Sequence, residues 1–333
     1  MFGNERFIVL AASIEIAGIA CKTPEKVLTN LDLEKLVDTS DEWITKRTGI
    51  KTRYVCTSER SVDMAVDVAV KAIEHARIDK KDIGLIISST ITCEYITPSM
   101  SSYVQKALDI DCATMDVAAG CTGFVYAIST AYSLMEHLDI EAALIVSSEA
   151  LSSYTDWTDR TTCVLFGDGA GAVVLKRSEK PCVHYPVLWG SPDREDVLYC
   201  KRDLRKTPFN DVGGEIKHEY IHMNGREVFT YAVSAAGEVL QKLLQKCGNK
   251  PFTKVIPHQA NGKIIDYVKR KLRFKSEQFF LNIDKYANTS SATIPIAMYD
   301  AYRKGWLKKG DRIALVAFGA GLTCGGIVVD WTL

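Results

Sequence analysis

Residues 113–137 read ATMDVAAGCTGFVYAISTAYSLMEH. Ala113–Val117 has strand character, small residues turn the chain at Ala118–Gly120, and a long apolar helix opens at Cys121 and runs to His137. Upstream, Ile83–Ser89 (IGLIISS) reads as a strand leading to a helix over Ser99–Leu108. Downstream, Ala142–Ser148 is another strand. A helix over Asp63–Ala76 precedes this block, and a strand over Ala170–Leu175 closes it. Strands alternating with helices are the pattern of a layered α/β fold.

The second part of the chain repeats that order. Strand TKVIPHQ (253–259) leads to helix NGKIIDYVKRKL (261–272), then to QFFLNID (278–284), read as a strand. The loop at Asn288, a helix over Ser291–Lys304 and strand RIALVAFG (312–319) follow. A helix over Glu227–Cys247 covers this half, and each half ends on a glycine-rich hairpin, FGDGAGAVVL (166–175) and FGAGLTCGGIVV (318–329). The spacings match: 35 residues from Ile86 to Cys121, 32 from Ile256 to Asn288. The chain is therefore read as an internal duplication of very long period, with halves 1–181 and 182–333. If the halves pack as pseudo-twofold partners, Cys121 and Asn288 occupy equivalent loops at a central seam, and His258, at the end of a strand, points there too.

Composition sets the bounds. The 333 residues are 47% hydrophobic and 25% charged, ordinary for a globular chain. Lys plus Arg and Asp plus Glu both number 41, which argues against nucleic acid or an anionic membrane as partner. Ten scattered cysteines without a CxxC pair read as reduced thiols and a cytoplasmic location. Phe7–Cys21 resembles a short signal segment, but Glu15 breaks the apolar run and Glu5 cancels Arg6, so an opening strand before a turn at Pro24 is expected. No run reaches the roughly 18 apolar residues of a membrane span. FGDGAGA (166–172) runs into a strand rather than a helix, so it lacks the geometry of a nucleotide loop. His218 and His222 have metal-like spacing only on a helix; KHEYIHMNG (217–225) reads as extended, and no metal site is expected.

Cys121 at a helix start would feel the positive end of the helix dipole. Such placement can lower a thiol pKa from about 8.5 to about 3.5–7.5, and the thiolate is the form that accepts acyl groups. Gly120 and Gly123 beside it let a ligand approach the backbone. His258 in VIPHQAN and Asn288 in KYANTSSATIP are unremarkable singly, a structural histidine and a helix-capping asparagine. At one seam, with a cysteine between them, they form a candidate nucleophilic site.

At these residues a family resemblance becomes specific. DVAAGCTGF (116–124), IPHQAN (256–261), YANTSSATIP (286–295) and FGAGLT (318–323) resemble the four active-site motifs of the 3-oxoacyl-[acyl-carrier-protein] synthase III family. TSDEWITKRTGI (39–50) is similar to its N-terminal signature, and the likeness runs from about Ile16 to Trp331. The resemblance implies a five-layered αβαβα thiolase fold, a homodimer, and decarboxylative condensation without metal or other cofactor. The substrates implied are an acyl-CoA and malonyl-acyl carrier protein. Cys121 would carry the acyl group. His258 and Asn288 would hold the malonyl thioester oxygen, and the backbone N–H groups of Cys121 and Ala320 the oxyanion. Thr39, Trp43, Arg47, Arg160, Phe229 and Asn261 would contact CoA, Lys263 would dock the carrier protein, and Thr97 would close the acyl pocket across the dimer.

The residues have their own physical readings. Thr39 and Glu42 are spaced as a capping box, while Trp43 and Arg47, one turn apart on one helix face, suit an adenine and a phosphate. Arg160 lies in DWTDRTT (156–162), an insert of the first half only. Relative to the family pattern, Lys263 stands for an arginine, Ala287 and Ala320 for glycines, Cys324 for a tryptophan and Thr97 for a phenylalanine, the last favouring longer primers. Tyr95 or Ile96 filling that space is the counter-reading. Alternatives are a specialised-metabolite ketosynthase or acyltransferase of the same fold and a non-catalytic thiolase-fold scaffold subunit. A 3-hydroxy-3-methylglutaryl-CoA synthase finds only Glu94 as a loose match for its glutamate.

Overall fold

A computed structural model of the chain describes residues 13–201 and 220–333. The chain runs β1 (Ile14–Lys22), β2 (Lys26–Thr29), α1 (Asn30–Leu33), α2 (Asp41–Thr48), β3 (Thr52–Val55), α3 (Ser61–Ala76), β4 (Ile83–Ser89), α4 (Met100–Leu108), β5 (Ala113–Val117), α5 (Gly123–His137), β6 (Ala142–Ala150), β7 (Asp168–Arg177) and β8 (Val183–Gly190). It continues through β9 (Leu198–Tyr199), β10 (His222–Met223), α6 (Gly225–Lys246), β11 (Lys254–Pro257), α7 (Gly262–Lys271), α8 (Ile283–Tyr286), α9 (Thr293–Arg303), β12 (Arg312–Gly319) and β13 (Thr323–Asp330).

Two sheets share one topology. The first has the order β1-β7-β6-β4-β5 and the second β8-β13-β12-β11. In the first, β4 pairs in parallel with β5 and β6, while β7 is antiparallel to β6 and β1. In the second, β11 pairs in parallel with β12, and β13 is antiparallel to β12 and β8. The duplication extends one strand further than the expected repeat, since β8 occupies in the second sheet the place of β1 in the first. β6 is buried along its whole length, as its unbroken apolar start implies for a strand covered on both faces. β5, at the sheet edge, has only exposed and half-buried residues.

Helices α5 and α9 fill the space between the sheets. Phe124, Ile128, Ala131 and Met135 of α5 join Ile294, Ala297 and Met298 of α9 in one core with Ile87, Ile145, Leu315 and Ile327 of the strands. On the outer face of the first sheet lie α3 and α4, where Ala65, Val68, Ala72 and Val104 meet Ile86 and Leu144. On the outer face of the second lie α6 and α7, where Val239, Leu243 and Ile264 meet Val255 and Val316. In α3 the buried positions recur three and four residues apart, the stripe of a helix with one wet face. The layers are thus αβαβα.

Three local expectations are corrected. QFFLNID forms no regular strand; Phe279 makes one isolated bridge to Val255. That segment is held by side chains instead, with Asn282 N–H donating to Gln259 Oε1 at 3.2 Å. The cap of α2 is Ser40, not Thr39: Ser40 Oγ accepts from Trp43 N at 3.1 Å, and no capping box to Glu42 forms. Finally, α5 starts at Gly123, after a single 3-10 turn over Gly120–Thr122 that carries Cys121. At the N-terminus the expected strand is β1, and the earlier part of Phe7–Cys21 lies outside the described residues, as does His218. Among the described residues no helix is long and apolar enough to cross a membrane.

Candidate active site

The C-terminal ends of β4, β6, β11 and β12 converge on a cavity of about 730 Å3. Cys121, His258, Asn288 and Ala320 line its inner wall. His258 and Asn288 are buried, at 1% and 7% exposure, whereas Arg47, Arg226 and Lys263 line the cavity from exposed positions and mark its mouth. The seam expected from the repeat is therefore where the three residues meet.

Each side chain is set by a local device. His258 follows β11, and its backbone N–H donates to Val316 O at 2.7 Å, which extends the parallel pairing with β12 by one residue. Its Nδ1 lies 2.7 Å from Thr293 Oγ1, and Phe318 meets the ring edge to face, with centroids 5.3 Å apart. Burial drives the imidazole pKa down to about 3, so His258 is neutral at ordinary pH. The Thr293 hydroxyl has one proton and two acceptors in reach, His258 Nδ1 and Ser290 O at 3.0 Å. When it donates to Nδ1, Nε2 carries the ring proton and is a donor.

Asn288 is pinned through its backbone: its N–H donates to Leu165 O, and its carbonyl accepts from Gly167 N, both at 3.0 Å. Its Oδ1 accepts from Ser290 N at 2.8 Å, which fixes the amide and leaves Nδ2 as a donor at the cavity wall. Ala287, just before it, has φ 56° and ψ −157°, a region that is essentially glycine-only and costs about 1–3 kcal/mol for other residues. The alanine therefore leaves strain beside the asparagine.

Cys121 is partly exposed to the cavity. A Cβ on Gly319 would stand 2.9 Å from Cys121 Cβ and 3.0 Å from its nitrogen, while a Cβ on Gly120 would stand 3.7 Å from Ala320 N. The Cys121 and Ala320 amides thus share one corner, as an oxyanion site requires. The expected low thiol pKa is not found. Burial pushes the Cys121 thiol up to about 11; Ser290 acts in the opposite direction and the Glu149 carboxylate adds to the rise. Loss of hydration outweighs the field of the helix end.

At the mouth, the Arg47 and Arg160 guanidinium carbons lie 5.7 and 5.2 Å from the centroid of the Trp43 ring. Arg160 also donates to Asp38 O at 2.7 Å. Trp43, Arg47, Phe229, Asn261 and Lys263 line the cavity, whereas Thr39, Arg160 and Thr97 are not part of its wall. Asn261 Oδ1 caps α7 through Lys263 N at 2.8 Å. Thr97 is exposed; Tyr95 stacks on Tyr103 at 4.3 Å, and Ile96 is 71% exposed. Glu94 caps α3 by accepting from the Ser61 backbone N–H, accepts also from Ser61 Oγ at 2.8 Å, and is not part of the cavity wall. Cys324 is buried with its thiol 3.6 Å from Trp189 O.

Sequence reasoning missed several cavity residues. Leu198 and Tyr199 of β9 and Met223 of β10 close one side, yet two-residue strands carry no periodic signal. Ser290 was also passed over; the serine-threonine run after Asn288 was its only signal.

Comparison with known proteins shows the family and the fold. Residues 115–186 match the family profile of 3-oxoacyl-[acyl-carrier-protein] synthase III, and residues 245–331 that of its C-terminal part. The chain is 41% identical over 323 residues to a protein of Clostridium acetobutylicum named beta-ketoacyl-[acyl-carrier-protein] synthase III, covering 96% of this chain and 99% of that one. The crystal structure of 3-oxoacyl-[acyl-carrier-protein] synthase III from Aquifex aeolicus superposes with a TM-score of 0.88 at 40% identity, covering 96% of this chain and all of that one. The priming beta-ketosynthase of the R1128 polyketide pathway gives a TM-score of 0.90 at 28% identity, covering 97% of both chains. With its αβαβα layers and its cysteine, histidine and asparagine on one cavity wall, the chain belongs to the 3-oxoacyl-[acyl-carrier-protein] synthase III family, condensing enzymes of the acyltransferase type with the thiolase fold.

Proposed function

We propose that this chain condenses an acyl-CoA primer with malonyl-acyl carrier protein, giving 3-oxoacyl-carrier protein, CO2 and CoA. The observation that carries the reading is one cavity with Cys121, His258 and Asn288 on its inner wall and Trp43, Arg47 and Lys263 towards its mouth. Cys121 Sγ attacks the primer thioester, and the Cys121 and Ala320 amides hold the oxyanion until the CoA sulfur leaves. The malonyl thioester then takes the place of CoA. His258 Nε2–H and Asn288 Nδ2–H donate to its carbonyl oxygen, so the bond to the carboxylate breaks and its electrons are held as an enolate. The enolate carbon attacks the acyl carbon on Cys121, and the cysteine sulfur is expelled. Each oxyanion donor of this kind is worth about 2.7–4 kcal/mol of barrier.

Trp43, Arg47 and Arg160 are assigned to the nucleotide end of CoA. Lys263, exposed at the start of α7, is assigned to the carrier protein, together with exposed Arg270, Lys271 and Arg273. Lys269 is engaged with Asp266 at 2.7 Å. We assign the edge of β5 to a homodimer contact, through which Thr97 reaches the partner's cavity; the exposed Met115 of that edge strand supports it. Ten scattered cysteines without a CxxC pair fit a reducing compartment such as the cytoplasm.

The test is a primer series of acyl-CoAs with malonyl-carrier protein, read as the mass of the 3-oxoacyl product. Product from at least one primer, lost in Cys121→Ala, is expected. Acyl transfer to Cys121 without any carrier-protein product would overturn the reading. The likeness to a priming ketosynthase supports a second reading, the same condensation in a specialised pathway, which a preference for unusual primers would favour.

A further inference from the structure

Glu149 is a buried carboxylate that the reaction as written leaves idle. It stands near the end of β6 with no exposed surface. Its Oε2 accepts from Thr92 Oγ1 at 2.8 Å, Ile91 N at 3.1 Å and Thr90 Oγ1 at 3.2 Å; its Oε1 accepts from Ser291 Oγ at 2.8 Å. Among the described residues it has no ion-pair partner. A carboxylate so far from water is costly unless it is used or well bonded.

Ser290 stands between this carboxylate and the nucleophile. The 3-10 turn Ser290–Ala292 packs on both the turn that carries Cys121 and strand β6. Ser290 is 1% exposed and shares the cavity wall with Cys121. Its backbone is in the left-handed region, φ 51°, a conformation unusual for serine. Its N–H donates to Asn288 Oδ1, and its carbonyl accepts from the backbone N–H of Thr293. Its hydroxyl alone has no hydrogen bond of normal geometry, yet it acts on the ionisation of both Cys121 and Glu149.

The acylation step needs such a group. Cys121 holds its proton, and the reaction forms a bond from its sulfur to the acyl carbon. His258 does not take that proton when Thr293 donates to Nδ1 and Nε2 carries the hydrogen, because both ring nitrogens are then occupied. That is the tautomer the decarboxylation requires. We infer that Glu149, acting through the Ser290 hydroxyl, accepts the Cys121 proton during acylation and returns it to the departing CoA sulfur. The thiol proton passes to Ser290 Oγ as the serine proton passes to Glu149; the C–S bond to CoA breaks, and the reverse transfer yields CoA thiol. Protons balance within the half-reaction, and no co-reactant is needed. The inference rests on the condensing reading above. Glu149 is a positioning and relay residue; it does not touch the substrate.

Burial raises the Glu149 carboxyl above its ordinary value, and the hydrogen bonds from Ile91, Ser291 and Thr92 act against that rise. The titratable groups that feel its charge are Cys121 and Cys93.

The experiment uses Glu149→Gln and Ser290→Ala in the full chain. Glutamine keeps the oxygen for Ile91, Thr90 and Thr92, and its amide nitrogen can donate to Ser291 Oγ, which has Ser89 O as an alternative acceptor at 3.2 Å. Two quantities are read: the single-turnover rate of acyl-Cys121 formation from acetyl-CoA, and the pH midpoint of Cys121 alkylation by iodoacetamide. The relay requires Glu149→Gln to slow acylation about 100-fold, within the usual range for general base catalysis, while the alkylation midpoint falls because a negative charge is gone. Ser290→Ala should slow acylation similarly, and the double variant should lose no more than either alone. If Glu149→Gln speeds acylation together with alkylation, Glu149 is only an electrostatic neighbour and the relay is wrong. Wild-type acylation rates in both variants would also overturn it. Should Glu149→Gln fail to fold, Ser290→Ala decides, since that hydroxyl has no normal hydrogen bond to lose. Absence of acylation in the wild type would instead sink the condensing reading itself.

Discussion

Replacing Gly319 with alanine will damage acylation far more than it damages the fold. Gly319 has φ −175°, an extended conformation open to any residue, so the change introduces no backbone strain. What it introduces is a methyl group 2.9 Å from Cys121 Cβ and 3.0 Å from Cys121 N. Ordinary contact is about 3.5–4.0 Å, so the cysteine turn must yield by roughly 0.5–1 Å. Overpacking of this kind costs about 1–3 kcal/mol of stability. A displacement near 1 Å at the reacting atoms costs about 100-fold in rate, and here it moves both the nucleophile and one oxyanion donor. The assay is rapid-quench acylation by acetyl-CoA, read by intact mass, beside urea unfolding. Gly237→Ala in α6 is the control: its Cβ meets nothing within 4 Å, so acylation is unchanged and stability rises by at most about 1 kcal/mol. A folded Gly319→Ala enzyme that acylates at the wild-type rate would refute the placement of the chemistry in this corner.

Three further outcomes are expected. Thr293→Val removes the hydroxyl beside His258 Nδ1, so malonyl decarboxylation should fall by at least 10-fold while acylation changes little; equal losses in both would count against the tautomer argument. Neutral, buried His258 stabilises the fold above its unfolded pKa, and that contribution is lost as pH falls from about 6.5 toward 3. Wild type should therefore lose up to about 1.4 kcal/mol per pH unit more than His258→Gln in that window, measured by urea unfolding; parallel curves would contradict it. Lys263→Glu should weaken use of malonyl-carrier protein about 10-fold and flatten its salt dependence, with acylation by CoA substrates preserved, and an unchanged salt dependence would place docking elsewhere.

Much of this was readable in the sequence because it rests on periodicity and on loops that follow strands. Ile83–Ser89 and Ala113–Val117 form strands with the expected boundaries, and the repeat placed Cys121, His258 and Asn288 at one seam. Three readings failed for identifiable reasons. QFFLNID has the apolar content of a strand, but its backbone is anchored by Gln259 and a single bridge rather than a ladder. At Thr39-Ser40 two hydroxyl residues compete for one cap, and a shift of one residue, which composition cannot decide, gave it to Ser40. The thiol pKa failed because it depends on burial by walls far away in sequence: His258, Asn288 and Ala320 of the same cavity lie in the other half, and Glu149, whose charge adds to the rise, lies 28 residues beyond Cys121. The glycine-like backbone of Ala287 is likewise invisible until Asn288 is seen clamped between Leu165 and Gly167.

The central claim is that Cys121 carries the primer and that His258 and Asn288 act afterwards. It is tested most directly by loading the enzyme with radiolabelled acetyl-CoA, mapping the labelled peptide, and chasing with malonyl-carrier protein. The label should sit on Cys121 in the wild type, His258→Ala and Asn288→Ala enzymes, and should be absent from Cys121→Ala. On the chase it should pass to the carrier protein with release of CO2 in the wild type only. Label on another residue, or transfer at the wild-type rate in His258→Ala and Asn288→Ala, would contradict the account.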